Sequence, residues 1–108
     1  MNPLYAYIPD LSLSISEIPT DSILSRTIHS DDSVKVLLFG FASGQELSEH
    51  TASMPAILHI LEGEASLTLG EDTHQAQAGT WVHMPANLPH SIYAHEPVFM
   101  LLLLLKPG

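Results

Sequence analysis

The stretch Leu61-Glu62-Gly63-Glu64-Ala65-Ser66-Leu67-Thr68-Leu69-Gly70-Glu71-Asp72 decides how the rest of the chain is read. Ala65, Leu67 and Leu69 alternate with Glu64, Ser66 and Thr68, the period-two pattern of a strand with one apolar face. Glu62-Gly63 before it and Gly70-Glu71-Asp72 after it are hairpin punctuation, because glycine reaches the backbone angles that tight turns need. The same texture extends outward in both directions. Val34, Val36 and Leu38 begin a strand, Gly79 opens another, and Pro85 to Pro89 forms a tight Pro/Asn turn. Nearer the start, Leu11, Leu13 and Ile15 alternate with Ser12, Ser14 and Ser16. Eight or more short strands in 108 residues predict an all-β domain built as a sandwich or jelly-roll barrel.

Composition bounds the possibilities. A chain of 108 residues with 45% apolar side chains supplies one core and one domain. It has no Cys, which excludes a disulfide framework, thiolate catalysis and Cys-ligated zinc, and fits a reducing compartment such as the cytoplasm. Met1 to Leu11 lacks the charged and apolar regions of a secretory signal. Arg26, Lys35 and Lys106 are the only Lys or Arg against twelve Asp and Glu, which argues against a phosphate-backbone partner or an anionic membrane surface. The longest apolar run, Val98 to Leu105, is far short of the roughly 20 residues of a spanning helix. It reads as a strand with two apolar faces, one for the domain interior and one for a second subunit, so a homodimer is expected. Phe39 and Phe41, opposite in parity to Val36 and Leu38, are expected to join that outer apolar surface. Residues 1–30 carry Pro3, Pro9 and Pro19 and read as edge or wrapping strands around a barrel spanning residues 31–108.

Seven histidines are dense for this length, and their placement carries the functional reading. His50 follows Gly44 by six residues; His90 follows Gly79 by eleven and Pro85 by five. The segment Gly44-Gln-Glu-Leu-Ser-Glu-His50, continuing to Leu61-Glu62-Gly63, resembles the first sequence motif of the cupins. Gly79-Thr-Trp-Val-His-Met-Pro85-Ala-Asn-Leu-Pro-His90 resembles the second. The pair covers about a third of the chain, in the order and at the separation of a small one-domain member of the RmlC-like cupin superfamily. This resemblance implies an antiparallel double-stranded β-helix, the cupin barrel, whose two motif hairpins bring His50 and His90 to one interior point. It also implies a divalent transition metal there, since imidazole suits Zn, Ni, Fe, Mn or Cu.

Two departures stand against that implication. The second histidine of the first motif is replaced by Ala52, and its glutamate by Ala56. Strand alternation from His50 and Gly63 assigns Ala52, Ala56 and Leu58 to the wall of a small-molecule pocket. His59 and His83 are further candidate metal ligands. Strict alternation turns His59 outward, where it would be a cross-strand or interface residue, and a one-residue slip or bulge would turn it inward. Glu46 shares the parity of His50 but lies roughly 13 Å away along an extended strand, and Glu49 has the opposite parity. His29, His74 and His95 are expected at the surface, and Trp81, Tyr93, Phe99, Met54, Met84 and Met100 in ordinary packing.

No Gly-x-Ser-x-Gly elbow, P-loop or dinucleotide fingerprint is present. The sequence therefore supports a metal-binding cupin acting on a small oxygenated molecule, as a dioxygenase or isomerase. The competing reading is a metal-free ligand-binding or regulatory module. Scarcity of Arg and Lys disfavours phosphosugar substrates in either case.

Overall fold

The alternation around Leu67 reappears as burial: Ala65 and Leu67 are buried, whereas Ser66 and Thr68 lie half-buried on the other face. The computed structural model describes residues 4–107. Among them are nine strands: β1 (Ile23–Ser30), β2 (Val34–Phe41), β3 (Glu46–His50), β4 (Ala56–Glu62), β5 (Ala65–Leu69), β6 (Asp72–Ala76), β7 (Trp81–Met84), β8 (His90–Ala94) and β9 (Val98–Leu105). They form a five-stranded sheet in the order β1-β2-β9-β4-β7 and a four-stranded sheet in the order β3-β8-β5-β6, with every pairing antiparallel. The fold is the all-β jelly-roll architecture expected. No helix among the described residues is long and apolar enough to cross a membrane.

The core lies between the inner faces of the sheets. Phe41, Leu58, Ile60, Val98 and Met100 come from the larger sheet, and Ala65, Leu67, Ile92 and Ala94 from the smaller. Burying each of the larger side chains contributes about 1.5–3 kcal/mol. β9 sits between β2 and β4, which accounts for its double-sided apolarity: Val98, Met100, Leu102 and Leu104 face inward, and Phe99, Leu101, Leu103 and Leu105 outward. The register corrects the expectation for β2. Phe39 and Phe41 pair with the inward residues Met100 and Val98, so they belong to the interior, while Val36 and Leu38 face outward beside Leu103 and Leu101. Parity alone separated the two sets without saying which was inside.

Leu38 is nonetheless only 1% exposed, because the N-terminal segment lies across this outer face. Gly40 makes that possible: a Cβ there would sit 3.0 Å from Ile18 Cγ1 and 3.5 Å from Ile15 Cγ2. No residue from Leu4 to Ser22 is in a strand, and the strand that residues 1–30 do supply, β1, is the edge of the larger sheet. Leu11–Leu13 is a single 3-10 turn, capped by Asp10, whose side chain accepts from the Ser12 N–H at 3.0 Å. Serine and aspartate divert the backbone into local hydrogen bonds there, so alternation did not become sheet. Residues 1–3 of the expected N-terminal strands lie outside the described residues.

The β1–β2 hairpin is closed by Asp31. Its Oδ1 accepts from the Ser33 and Val34 N–H groups at 2.7 and 3.0 Å, and its Oδ2 meets His29 Nε2 at 2.8 Å. The bond from His29, helped by the two backbone donors, holds the carboxyl down at about 2.

Candidate metal and ligand site

A β-bulge turns His50 to the inner face of the smaller sheet. Leu47 pairs with Ile92 and His50 with His90, so three steps along β3 match two along β8. Leu47 packs against the core, and without the extra residue its alternation would carry Glu49 inward and His50 out. The bulge also overturns the parity expected for Glu46, which pairs with Tyr93 on the outer face. His90 arrives by regular alternation with Ile92 and Ala94 on β8. The turn before it is set by Asn87, at φ 67 in the left-handed region that asparagine tolerates, whose N–H donates to Ala52 O at 2.7 Å.

The two imidazoles meet edge to face, ring centroids 4.2 Å apart at 60°. His50 Nδ1 lies 2.8 Å from Ser48 O, and His90 Nδ1 lies 2.8 Å from Leu88 O. A carbonyl only accepts, so each Nδ1 carries the proton and donates it. In a neutral ring so oriented Nε2 keeps a free lone pair, the tautomer that metal-ligating histidines adopt when a backbone carbonyl orients them. Behind the pair is a cavity of about 60 Å³ walled by Phe39, Leu58, Leu67, Met100 and Leu102. That space admits a few water-sized groups. His50 is exposed and His90 half-buried, which puts the imidazoles at the mouth of an apolar recess.

Of the residues assigned to the pocket from sequence, Leu58 lines the cavity and Ala52 and Ala56 do not. Ala56 faces inward but is 3% exposed, paired with Met84 on one side and Leu104 on the other. Ala52 is half-buried in the β3–β4 loop. His59 and His83 are not brought to the pair. His59 is opposite Trp81 and Leu101, and His83 opposite Ile57, on the outer face of the larger sheet. The bulge in β4 lies after Ile60, too late to turn His59 inward. Trp81 and Tyr93, expected in the core, are 59% and 40% exposed. Among the described residues no group of three or more His, Cys, Asp or Glu is placed to hold a metal.

Sequence reasoning missed Phe39, Leu47 and Met100 as cavity wall, and the carbonyls of Ser48 and Leu88. The carbonyls leave no side-chain signature at all. A larger groove of about 460 Å³ lies between the N-terminal segment and the loop before β9, lined by Glu17, Ile18, Asp21, Pro97 and Phe99, and shares no residue with the histidine site.

A sequence profile of the cupin domain matches residues 37–104, more than half of the chain. The chain belongs to the cupin family. Among solved structures, this cupin is similar to a conserved protein of unknown function from Streptococcus pyogenes, with 33% identity, TM-score 0.83 and coverage of 100% of this chain and 94% of the other. It is also similar to a cupin superfamily protein from Desulfitobacterium hafniense, at 28% identity and TM-score 0.83, over 97% of this chain and 94% of that one. A DMSP lyase from Ruegeria pomeroyi, 21% identical with TM-score 0.72 over 78% of this chain and 47% of its own, shares the fold. None of the curated proteins matches the chain.

Proposed function

We propose that this cupin binds one divalent transition metal ion through Nε2 of His50 and His90, leaving open coordination positions for a small oxygenated molecule. The observation that carries the reading is the pair of Nδ1–H donations to Ser48 O and Leu88 O, which frees both Nε2 lone pairs at one site. The donor set fits such an ion as two neutral imidazoles, with selectivity for the metals that prefer nitrogen. A bound ion would supply Lewis-acid polarisation of a ligand oxygen, the chemistry that dioxygenases and isomerases draw on. The chain's own contribution is to hold both rings in fixed tautomers and to surround the site with Phe39, Leu58 and Met100, which exclude water and pack against the ligand's apolar part. A neutral molecule or a single carboxylate suits this wall. The competing reading, a metal-free ligand-binding or regulatory module, is favoured by one observation: no third donor accompanies the pair among the described residues.

Metal analysis of untagged protein, with titration by Zn2+ or Ni2+, tests both. His50→Ala or His90→Ala should weaken uptake roughly tenfold or more, whereas His74→Ala should leave it unchanged. Parental uptake in both single variants would sink the metal reading. No uptake by the parent in excess metal would support the module.

The outer face of the larger sheet beyond the N-terminal segment supports self-association. Ile57, Leu101 and Leu103 are half-buried there beside exposed Trp81, and a second copy of the chain would cover them. Leu103 is the outward residue of the Leu103–Leu104 pair. Leu103→Glu should convert a dimer to monomer in sedimentation at low micromolar concentration, and a monomeric parent would remove the premise.

A further inference from the structure

The opposite side of the molecule carries a serine–histidine pair that the metal or ligand reading does not use. On the outer face of the smaller sheet, Ser66 Oγ lies 2.6 Å from His95 Nε2. Gln75, directly across from Ser66 on β6, places its Nε2 3.1 Å from the same oxygen. The Gln75 Oε1 lies 3.4 Å from that oxygen, so the single Ser66 proton has two acceptors, of which His95 Nε2, in the Nδ1–H tautomer, is the nearer by far. In that tautomer Nε2 is the acceptor and the imidazole proton sits on Nδ1.

The base is held as a general base must be. His95 directly follows β8, and its backbone is tied at both ends: its N–H donates to Glu64 O at 2.9 Å, and its C=O accepts from Ser43 Oγ at 3.1 Å. The Tyr93 ring packs against the imidazole with centroids 5.1 Å apart at 63°. The hydroxyl itself stands on β5, between Gln75 on one neighbouring strand and Tyr93 on the other, so its position is fixed by sheet register. A hydroxyl with a base within hydrogen-bond reach is the core of an activated nucleophile, and here the Tyr93 ring contact limits how the base turns.

We propose that Ser66 is an acylation site that reacts with small activated acyl donors such as aryl esters, acyl phosphates or thioesters, with His95 as the base. Ser66 Oγ attacks the acyl carbon and forms a C–O bond, while the bond from that carbon to the leaving group breaks. The hydroxyl proton passes to His95 Nε2 and from there to the departing group. Hydrolysis of the serine ester reverses the proton path, with water as the nucleophile. His95 and Gln75 are open to solvent, which gives a small donor direct access to the hydroxyl.

The test uses p-nitrophenyl acetate with the full-length protein. Competing strong nucleophiles are few: there is no Cys, and the side-chain amines are Lys35 and Lys106. Peptide mapping should place an acetyl group on Ser66, with release of p-nitrophenolate. Ser66→Ala should abolish that adduct, and His95→Gln should slow its formation roughly 100-fold. His74→Ala should react like the parent, and circular dichroism checks that each variant is folded. Acetylation confined to amines, or a folded His95→Gln protein acetylated on Ser66 at the parental rate, would overturn the proposal. The mapping on unmodified sequence decides even where a variant fails to fold.

Discussion

Gly63→Ala should destabilise the protein by about 3 kcal/mol or more and lower its melting temperature by roughly 12 °C or more, read by thermal and urea denaturation. Gly63 is at φ 93, where any side chain strains the backbone, in the turn from β4 to β5, which is not the hairpin the sequence suggested because the two strands lie in different sheets. A second effect adds to the strain. A Cβ at Gly63 would lie 2.1 Å from Pro97 O and 2.9 Å from Val98 Cα, both backbone atoms that cannot rotate away. The turn that takes the chain from the larger sheet to the smaller is therefore seated on the start of β9, which enters the core through fully buried Val98. Gly79→Ala separates the two contributions, because Gly79 has nearly the same φ, 96, and no atom within 4 Å of its Cβ position. It should show backbone strain alone, about 1–2 kcal/mol. If Gly63→Ala loses no more than Gly79→Ala, the close seating of the turn is wrong.

The role of Gly63 also marks what was legible in the sequence. Hairpin punctuation at Glu62-Gly63 and alternation through Leu69 located β4 and β5, because turn chemistry and period two are local properties. The approach of Pro97 to Gly63 is not local, and nothing in the sequence announces it. The same division runs through the site. The spacing of His50 and His90 within the two motifs anticipated their meeting, and it was correct across a β-bulge that simple alternation would have missed. Parity counted from His50 failed for Glu46, because it ran through that bulge. Parity counted from Gly63 correctly turned Ala56 and Leu58 inward, but facing inward is not lining a cavity: Met84 and Leu104 flank Ala56 and enclose it. The choice between Phe39 and Leu38 for the interior depended on which side the N-terminal segment covers, a tertiary fact. Trp81 was misjudged for the same reason, since an aromatic on a strand is equally suited to an outer face awaiting a partner.

Restoring the missing groups with Ala52→His and Ala56→Glu should make the stability of the protein depend on metal, with opposite signs in its absence and presence. Ala56 is 3% exposed between Met84 and Leu104, so a glutamate there enters a packed interior. Overpacking costs about 1–3 kcal/mol, and burial of a carboxyl without a partner adds a penalty of similar size. The double variant in a chelator should therefore melt well below the parent. Ala52 is half-buried in a loop, so the histidine there should contribute little to that loss. Addition of Zn2+ reverses the balance if His50 and His90 hold an ion. The new imidazole and carboxylate replace waters in its coordination sphere, and the carboxylate supplies negative charge that the pair lacks. At a hundred times the dissociation constant, binding to the folded state alone restores about 2.7 kcal/mol. The metal-dependent rise in melting temperature should then be far larger in the double variant than in the parent, and the affinity from competitive titration should increase. His59 and His83 cannot produce this signature, because they lie on the outer face opposite Trp81 and Ile57. A double variant that is destabilised equally with and without Zn2+ would mean that no ion sits between His50 and His90 within reach of residue 56.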